Sequence, residues 1–187
     1  MSTLTVSVIV NTLNRALYLS RLLPSLDRLK GVVFEVIVVN GPSDDGTEAV
    51  LERYANLVKV VRCPDANLST SRNLGIAAAA GDLVVFIDDD ALPVDPDWLS
   101  RFVTYLEQDE NQAIAAVGGA VLHRDTTQYE FDGGATSDYG LQVFGGSKQE
   151  LGPDWVAGVP GGNCVYRRQA LLEVGGYDEY YVYYLDE

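Results

Sequence analysis

The chain has 187 residues, 47% of them hydrophobic, enough to bury the core of one compact domain. Its 27 acidic residues against 13 basic ones give a formal net charge of −14, which repels phosphate backbones at long range and argues against nucleic-acid binding. An anionic nucleotide is still admissible, because a bound divalent cation reverses the local sign of the field.

Residues 6–10 form a short, β-branched apolar run suited to a strand buried on both faces of a parallel sheet, with an exit loop at 11–14. Leu19, Leu22, Leu23, Leu26 and Leu29 then recur at helical spacing, and Gly31 punctuates the end. A second buried strand is expected at 32–39, a dense turn at 40–46 and a helix at 47–54. The alternation continues with a strand at 58–61, a helix at 70–80 and a strand at 83–87. Asp95-Pro96-Asp97 supplies an N-cap and a proline at the first helical position for the next helix, whose apolar face carries Leu99, Phe102, Val103 and Leu106. Residues 113–121 read as a strand interrupted by Gly118-Gly119, and 125–160 as a functional loop with short strands. Residues 168–174 read as a helix with Gly175 as its C-cap, followed by an aromatic run at 177–184. Alternating elements of this length predict an α/β fold: an open, mostly parallel sheet with helices on both faces.

Cys63 and Cys164 are far apart and outside any CxxC spacing, so neither a zinc site nor a disulfide framework is expected. His123, the single histidine, excludes a His-pair metal site. The N-terminus lacks a basic region leading into an apolar stretch, and no window approaches a membrane span, so the cytoplasm is the expected location.

Asp88-Asp89-Asp90 follows the strand at 83–87 and therefore lies at a strand's carboxyl end, where ligands of such sheets gather. Adjacent carboxylates repel one another unless a cation or several donors compensate, so a positive group is expected nearby. In a strand-exit turn the first and third carboxylates can converge on one Mg2+ or Mn2+ shared with a diphosphate, while the second points away. The plainer alternative is a solvated acidic turn.

The surrounding motifs favour the metal. Val6-Ser7-Val8-Ile9-Val10-Asn11-Thr12-Leu13-Asn14-Arg15 and Glu35-Val36-Ile37-Val38-Val39-Asn40-Gly41-Pro42-Ser43-Asp44-Asp45-Gly46-Thr47 resemble the first two strands of family 2 glycosyltransferases of the GT-A fold. Ser71-Arg72-Asn73-Leu74-Gly75, Gly81-Asp82 with Phe86-Ile87-Asp88-Asp89-Asp90, and Gly161-Gly162-Asn163 with Gly175-Gly176-Tyr177-Asp178-Glu179 resemble its later signatures, in order and across essentially the whole chain. The resemblance implies a single GT-A domain over 1–187, with a nucleotide-sugar-binding half at 1–122 and an acceptor and catalytic half at 123–187 that is truncated at its C-terminus. It implies that Asn11, Thr12 and Leu13 hold the nucleotide base, largely through backbone groups, with Asn40 and Asp45 beside them. Arg72 would face the donor phosphates, a role suited to its planar fork; its alternative is an exposed arginine on a helix face. Asp88 and Asp90 match the outer positions of the DxD motif and would hold the metal, with Asp90 as its best direct ligand, and Asp88 and Asp89 would also contact the donor. Gly161 and Gly162 would let the backbone approach the sugar or acceptor closely.

The chain departs from the family pattern at Asn40-Gly41, where many members carry an acid facing a pyrimidine imide; Asp44 or Asp45 could substitute in part. Asn11 stands in place of the usual proline, and Asn67 in place of the glycine before the Arg-Asn pair. At the C-terminus Asp186 and Glu187 fall on the family's acidic pair, with Glu187 on the base position and the order of the acids swapped. The resulting expectation is an inverting, metal-dependent transfer of a sugar from a nucleotide-diphosphate donor to a saccharide or lipid-linked acceptor, with peripheral association at the inner membrane face. Two rivals stand beside it: a non-catalytic nucleotide-sugar-binding module, and a sugar nucleotidyltransferase. Against the latter, no Gly-rich loop ending in basic residues follows Val10.

Overall fold

The structure, a computed structural model, describes residues 4–123 and 159–182, together with the backbone of three short strands between those spans. The first half alternates as expected: strands Val6–Thr12 (β1), Phe34–Asn40 (β2), Val58–Arg62 (β3) and Leu83–Ile87 (β4) are followed in turn by helices Ala16–Leu26 (α1), Thr47–Arg53 (α2), Leu68–Ala78 (α3) and Trp98–Glu107 (α4). Ala116–Gly118 (β5), Val121–Leu122 (β6), Tyr129–Phe131 (β7), Gly134–Thr136 (β8), Gln142–Phe144 (β9), Asn163–Arg167 (β10) and Arg168–Val174 (α5) follow.

The main sheet has six strands in the order β3-β2-β1-β4-β10-β5. β1 runs parallel to both β2 and β4, and β2 runs parallel to β3. β10 is antiparallel to β4 and to β5, with Val165 opposite Val85 and Val117. The chain leaves β1 toward β2 on one side and returns to β4 on the other, so the topological switch lies between the carboxyl ends of β1 and β4.

The two-residue period of the strands sorts their side chains. Val8, Val10, Val38, Val85 and Ile87 face α1 and α4, where they meet Leu19, Leu22, Leu23, Leu26, Leu99 and Leu106. Ile9, Ile37, Val84 and Phe86 face the other way, onto Ile76 of α3, Leu171 of α5 and Tyr177. The four α1 leucines are fully buried, each worth roughly 1.5–3 kcal/mol of apolar transfer. Gly75 brings α3 close to the sheet, since a Cβ there would lie 2.7 Å from Cγ2 of Ile9. That approach carries the first turns of α3 up to the end of β1.

Several elements differ from the sequence expectations. α3 starts earlier than its apolar periodicity suggests because Asn67 caps it, its Oδ1 accepting the Thr70 N–H at 3.0 Å. α4 starts later than Pro96: the Asp95 carboxylate accepts the Asp97 N–H at 2.9 Å in a local turn, and the helix begins at Trp98. The strand expected over 113–121 is divided into β5 and β6. β10 was not anticipated as a strand at all, yet it fills the place between β4 and β5. The Gly175 cap is as expected, with φ +88°. Most of the loop expected at 125–160 lies outside the described residues. Among the described residues no helix is long and apolar enough to cross a membrane.

Candidate active site

Two strand ends build the site. At the end of β1, Asn11 donates from Nδ2 to Oγ of Ser71 on α3 at 2.6 Å, and the buried Thr12 hydroxyl donates to Oδ2 of Asp89 at 2.7 Å. At the end of β4, Asp88 and Asp90 are exposed while Asp89, between them, is buried. The turn is closed by the Ala91 N–H bonding the Asp88 carbonyl at 3.1 Å. Asp89 thus points into the protein interior, and its carboxylate shares Arg15 with that of Asp90.

The positive group expected near the acids is Arg15, at the start of α1. Its Nε donates to Oδ1 of Asp89 at 3.2 Å, its NH2 group pairs with Oδ2 of Asp90, and its guanidinium stacks on the Tyr18 ring at 4.4 Å. Partial burial works against the Arg15 charge, but the fields of Asp89 and Asp90 outweigh it and hold its pKa above the ordinary value. Burial pushes the Asp89 carboxyl above the usual carboxylate range, offset in part by the Thr12 hydroxyl and by Arg15. Asp89 therefore serves the framework, tying the ends of β1 and β4 to α1, and leaves Asp88 and Asp90 at the mouth of the turn.

On the β2 side, Leu13 lies over Gly41, where a Cβ would meet Cδ1 of Leu13 at 3.1 Å, and the Gly41 N–H bonds the Thr12 carbonyl at 2.9 Å. Asn40 is 1% exposed; its amide donates to Glu48, and its oxygen accepts the Ser43 hydroxyl at 2.7 Å. The Asn40 side chain thus shapes the turn from beneath. Asp45 takes the Ala16 N–H on one oxygen at 3.0 Å and the Thr47 N–H on the other at 2.8 Å, so its carboxylate caps two helices. Asp44 donates its N–H to Oδ1 of Asn14, a residue at φ +56°.

Arg72 is not an exposed helix-face arginine: it is 4% exposed, with Cζ 5.0 Å from the Tyr177 ring centroid and 5.8 Å from that of Phe86. Next to it, Asn73 bonds the backbone of Tyr177. The rest of the α3 N-terminal face holds the same segment: Asn67 donates to the Glu179 carbonyl at 2.9 Å, Thr70 to the Glu179 carboxylate at 3.0 Å, and Val182 accepts the Leu68 N–H at 3.0 Å.

Gly161 and Gly162 lead into β10. The Asp88 N–H meets the Gly162 carbonyl at 3.4 Å, and a Cβ on Gly162 would overlap the Asp88 carboxylate. Asn163 accepts the Trp98 indole N–H at 3.0 Å and donates to the Ala120 carbonyl at 2.9 Å, which fixes the entry of β10. The structure brings Asn11, Thr12, Leu13, Arg72, Asp88 to Asp90 and Gly162 to one end of the sheet, while Asn40 and Asp45 support it from below. Asp186 and Glu187 lie outside the described residues. Sequence reasoning required a cation near the acids but did not name Arg15, which lies 74 residues away from Asp89 in the chain.

Solved structures share this fold. The mannosyltransferase PcManGT from Pyrobaculum calidifontis, in complex with GDP-Man and Mn2+, superposes with a TM-score of 0.70 at 24% identity over 93% of this chain and 47% of its own. Residues 1–349 of TarS from S. aureus, in complex with UDP, give 0.70 at 23% identity over 97% of this chain and 52% of theirs. Both are glycosyltransferases of the GT-A fold, and that is the class of fold this chain adopts. The family can be named more narrowly: the model described as Glycosyl transferase family 2 matches residues 7–175, and the chain belongs to that family. A curated relative, the glucosyl-dolichyl phosphate glucuronosyltransferase of Haloferax volcanii, is 34% identical over 151 residues, which cover 76% of this chain and 45% of the relative. The chain spans about half the length of each of these three proteins.

Proposed function

We propose that the protein transfers a sugar from a nucleotide-diphosphate donor to an acceptor hydroxyl, with inversion, in the synthesis of a polysaccharide or glycolipid. The observation that carries this reading is the acidic turn at the topological switch, where Asp88 and Asp90 stand exposed and Asp89 is turned inward beside the end of β1. Exposed hard oxygens suit Mg2+ or Mn2+, and Asp88 and Asp90 would hold the cation. Bound there, it would supply charge stabilisation for the departing diphosphate.

The chain's own residues take the remaining roles. Arg15 holds Asp89 and Asp90 in register, and Arg72 meets the donor phosphates. Asn11, Thr12 and Leu13 receive the base over Gly41, with Asn40 and Asp45 shaping the loop beneath it. Gly161 and Gly162 give the backbone close access to the sugar. Glu187 is the proposed base that deprotonates the acceptor, with Asp186 orienting it. The two solved neighbours, one in complex with GDP-Man and Mn2+ and the other with UDP, support a nucleotide-diphosphate donor and a divalent cation. The name of the haloarchaeal relative supports a lipid-linked saccharide as acceptor, met by peripheral association at the cytoplasmic membrane face.

Calorimetry with UDP, GDP and dTDP in Mn2+ tests the reading. At least one should bind, and chelation or Asp90→Asn should weaken it about tenfold or more, the scale of a lost charge-assisted contact. Glu187→Gln should keep that affinity and lose transfer. Equal affinity in chelator would remove the metal from the site, and no binding of any of the three would sink the donor assignment.

A further inference from the structure

We infer that Tyr177, fastened by Asn73, is the positioning residue that holds Arg72 toward the donor; the inference rests on the proposed role of Arg72 at the donor phosphates. Arg72 lies in a corner between two aromatic rings. Phe86 and Tyr177 stand edge to face, with centroids 5.8 Å apart and planes at 88°, and the guanidinium carbon is within 6 Å of both. A ring face fixes the plane of a guanidinium by cation–π attraction while its in-plane N–H groups remain directed outward along the fork.

The two rings are anchored differently. Phe86 belongs to β4 and is set by the sheet, with Ile9 opposite it in register. Tyr177 follows α5 in a short non-helical segment and needs an anchor of its own. Asn73, the residue after Arg72 on α3, supplies it: Nδ2 donates to the Tyr177 carbonyl at 2.9 Å, and Oδ1 accepts the Tyr177 N–H at 2.8 Å. One side-chain amide thus pairs with both backbone groups of the residue whose ring supports the neighbouring cation.

Two further details fit this arrangement. Gly175 and Gly176 both have positive φ, at +88° and +80°, which turns the chain back onto α3, and a Cβ on Gly176 would lie 2.5 Å from Oδ1 of Asn73. Asn73 Nδ2 also donates to the Glu179 carboxylate at 2.8 Å, which holds the amide in the orientation that pairs with Tyr177. The segment running on toward the proposed base is therefore built into the donor site through its first aromatic residue.

The test is a double-mutant cycle on nucleotide affinity, with UDP, GDP and dTDP in Mn2+ as probes and melting temperature followed in parallel. Tyr177→Leu should weaken binding about 3- to 30-fold, the range of a partly desolvated cation–π contact. Tyr177→Phe, which keeps the ring, should stay within about twofold of the unaltered protein, since the ring face carries the effect. In an Arg72→Ala background, Tyr177→Leu should have no further effect on affinity. An additive pair, or a folded Tyr177→Leu with unchanged affinity, overturns the inference and leaves Tyr177 as core packing. If Tyr177→Leu does not fold, Asn73→Ala in the same two backgrounds decides by the same criterion. Failure of the unaltered protein to bind any probe would instead strike the donor reading on which this one stands.

Discussion

Gly162 lies so close to Asp88 that any side chain there must displace the carboxylate. The displaced group is the end of a rotatable side chain, so Gly162→Ala should leave melting temperature nearly unchanged while Asp88 swings away from the mouth of the turn. Nucleotide affinity in Mn2+ should then fall by about 1.5–3 kcal/mol, the worth of one charge-assisted contact. Unchanged affinity in this variant would take Asp88 out of the site. The acids, Arg72 and the Gly161-Gly162 pair were legible in the sequence because each belongs to a motif of fixed spacing. Arg15 and Asn73 stood inside quoted motifs as well, but their roles depend on partners brought in from elsewhere in the chain. Local pattern can require a counter-ion for Asp89 without identifying it. Burial of Arg72 was equally hidden, since Tyr177 reaches it only through the turn at Gly175-Gly176.

Helix α1 has no side-chain cap of its own: Arg15 occupies its N-cap position without a capping bond. Asp45 serves instead, binding the Ala16 N–H from the next loop while also holding the start of α2. The Thr47 hydroxyl, followed by the Ala16 N–H, draws the Asp45 carboxyl below its ordinary value. A lowered carboxylate contributes stability that is complete above the unfolded value and disappears as pH falls through the folded one. Asp45→Asn should therefore lower stability by about 0.5–1 kcal/mol near pH 7, a modest figure because the group is exposed and screened. Thermal melts of the pair should converge as pH falls from above the ordinary aspartate value, about 4, through the lowered folded one, when the native acid has lost its charge too. A gap that persists in acid would mean the loss is one of packing. Elements with long periodic stretches, β1 to β4 and α1 to α3, were readable to within a few residues. β10 was not, because Asn163–Arg167 is short, ends in arginine and follows a glycine pair that reads as a turn. Its strand conformation is imposed by the open edges of β4 and β5, which no local window contains.

At the scale of the whole molecule, that late strand closes the sheet. β1 pairs with β2 and β2 with β3 across a single crossover, whereas β4 must reach back past β2 and β3 to β1, and Val165 must return across the second half of the chain to meet Val85. Non-local pairing of this kind is slow because chain closure precedes any gain from contact. Pulsed hydrogen exchange during refolding should find the β1 and β2 amides protected before those of β10; simultaneous protection would indicate one concerted step. The same geometry bears on biosynthesis. A nascent chain leaving the ribosome can fold its parallel half while the outer edge of β4 is still bare, and a bare edge invites pairing with another chain. Docking of β10 covers that edge and, in the same movement, sets Gly162 against Asp88. Burial of the β4 edge and the placement of Gly162 beside Asp88 therefore arrive together, and a chain stalled before β10 would have an aggregation-prone edge and an unfinished acidic turn.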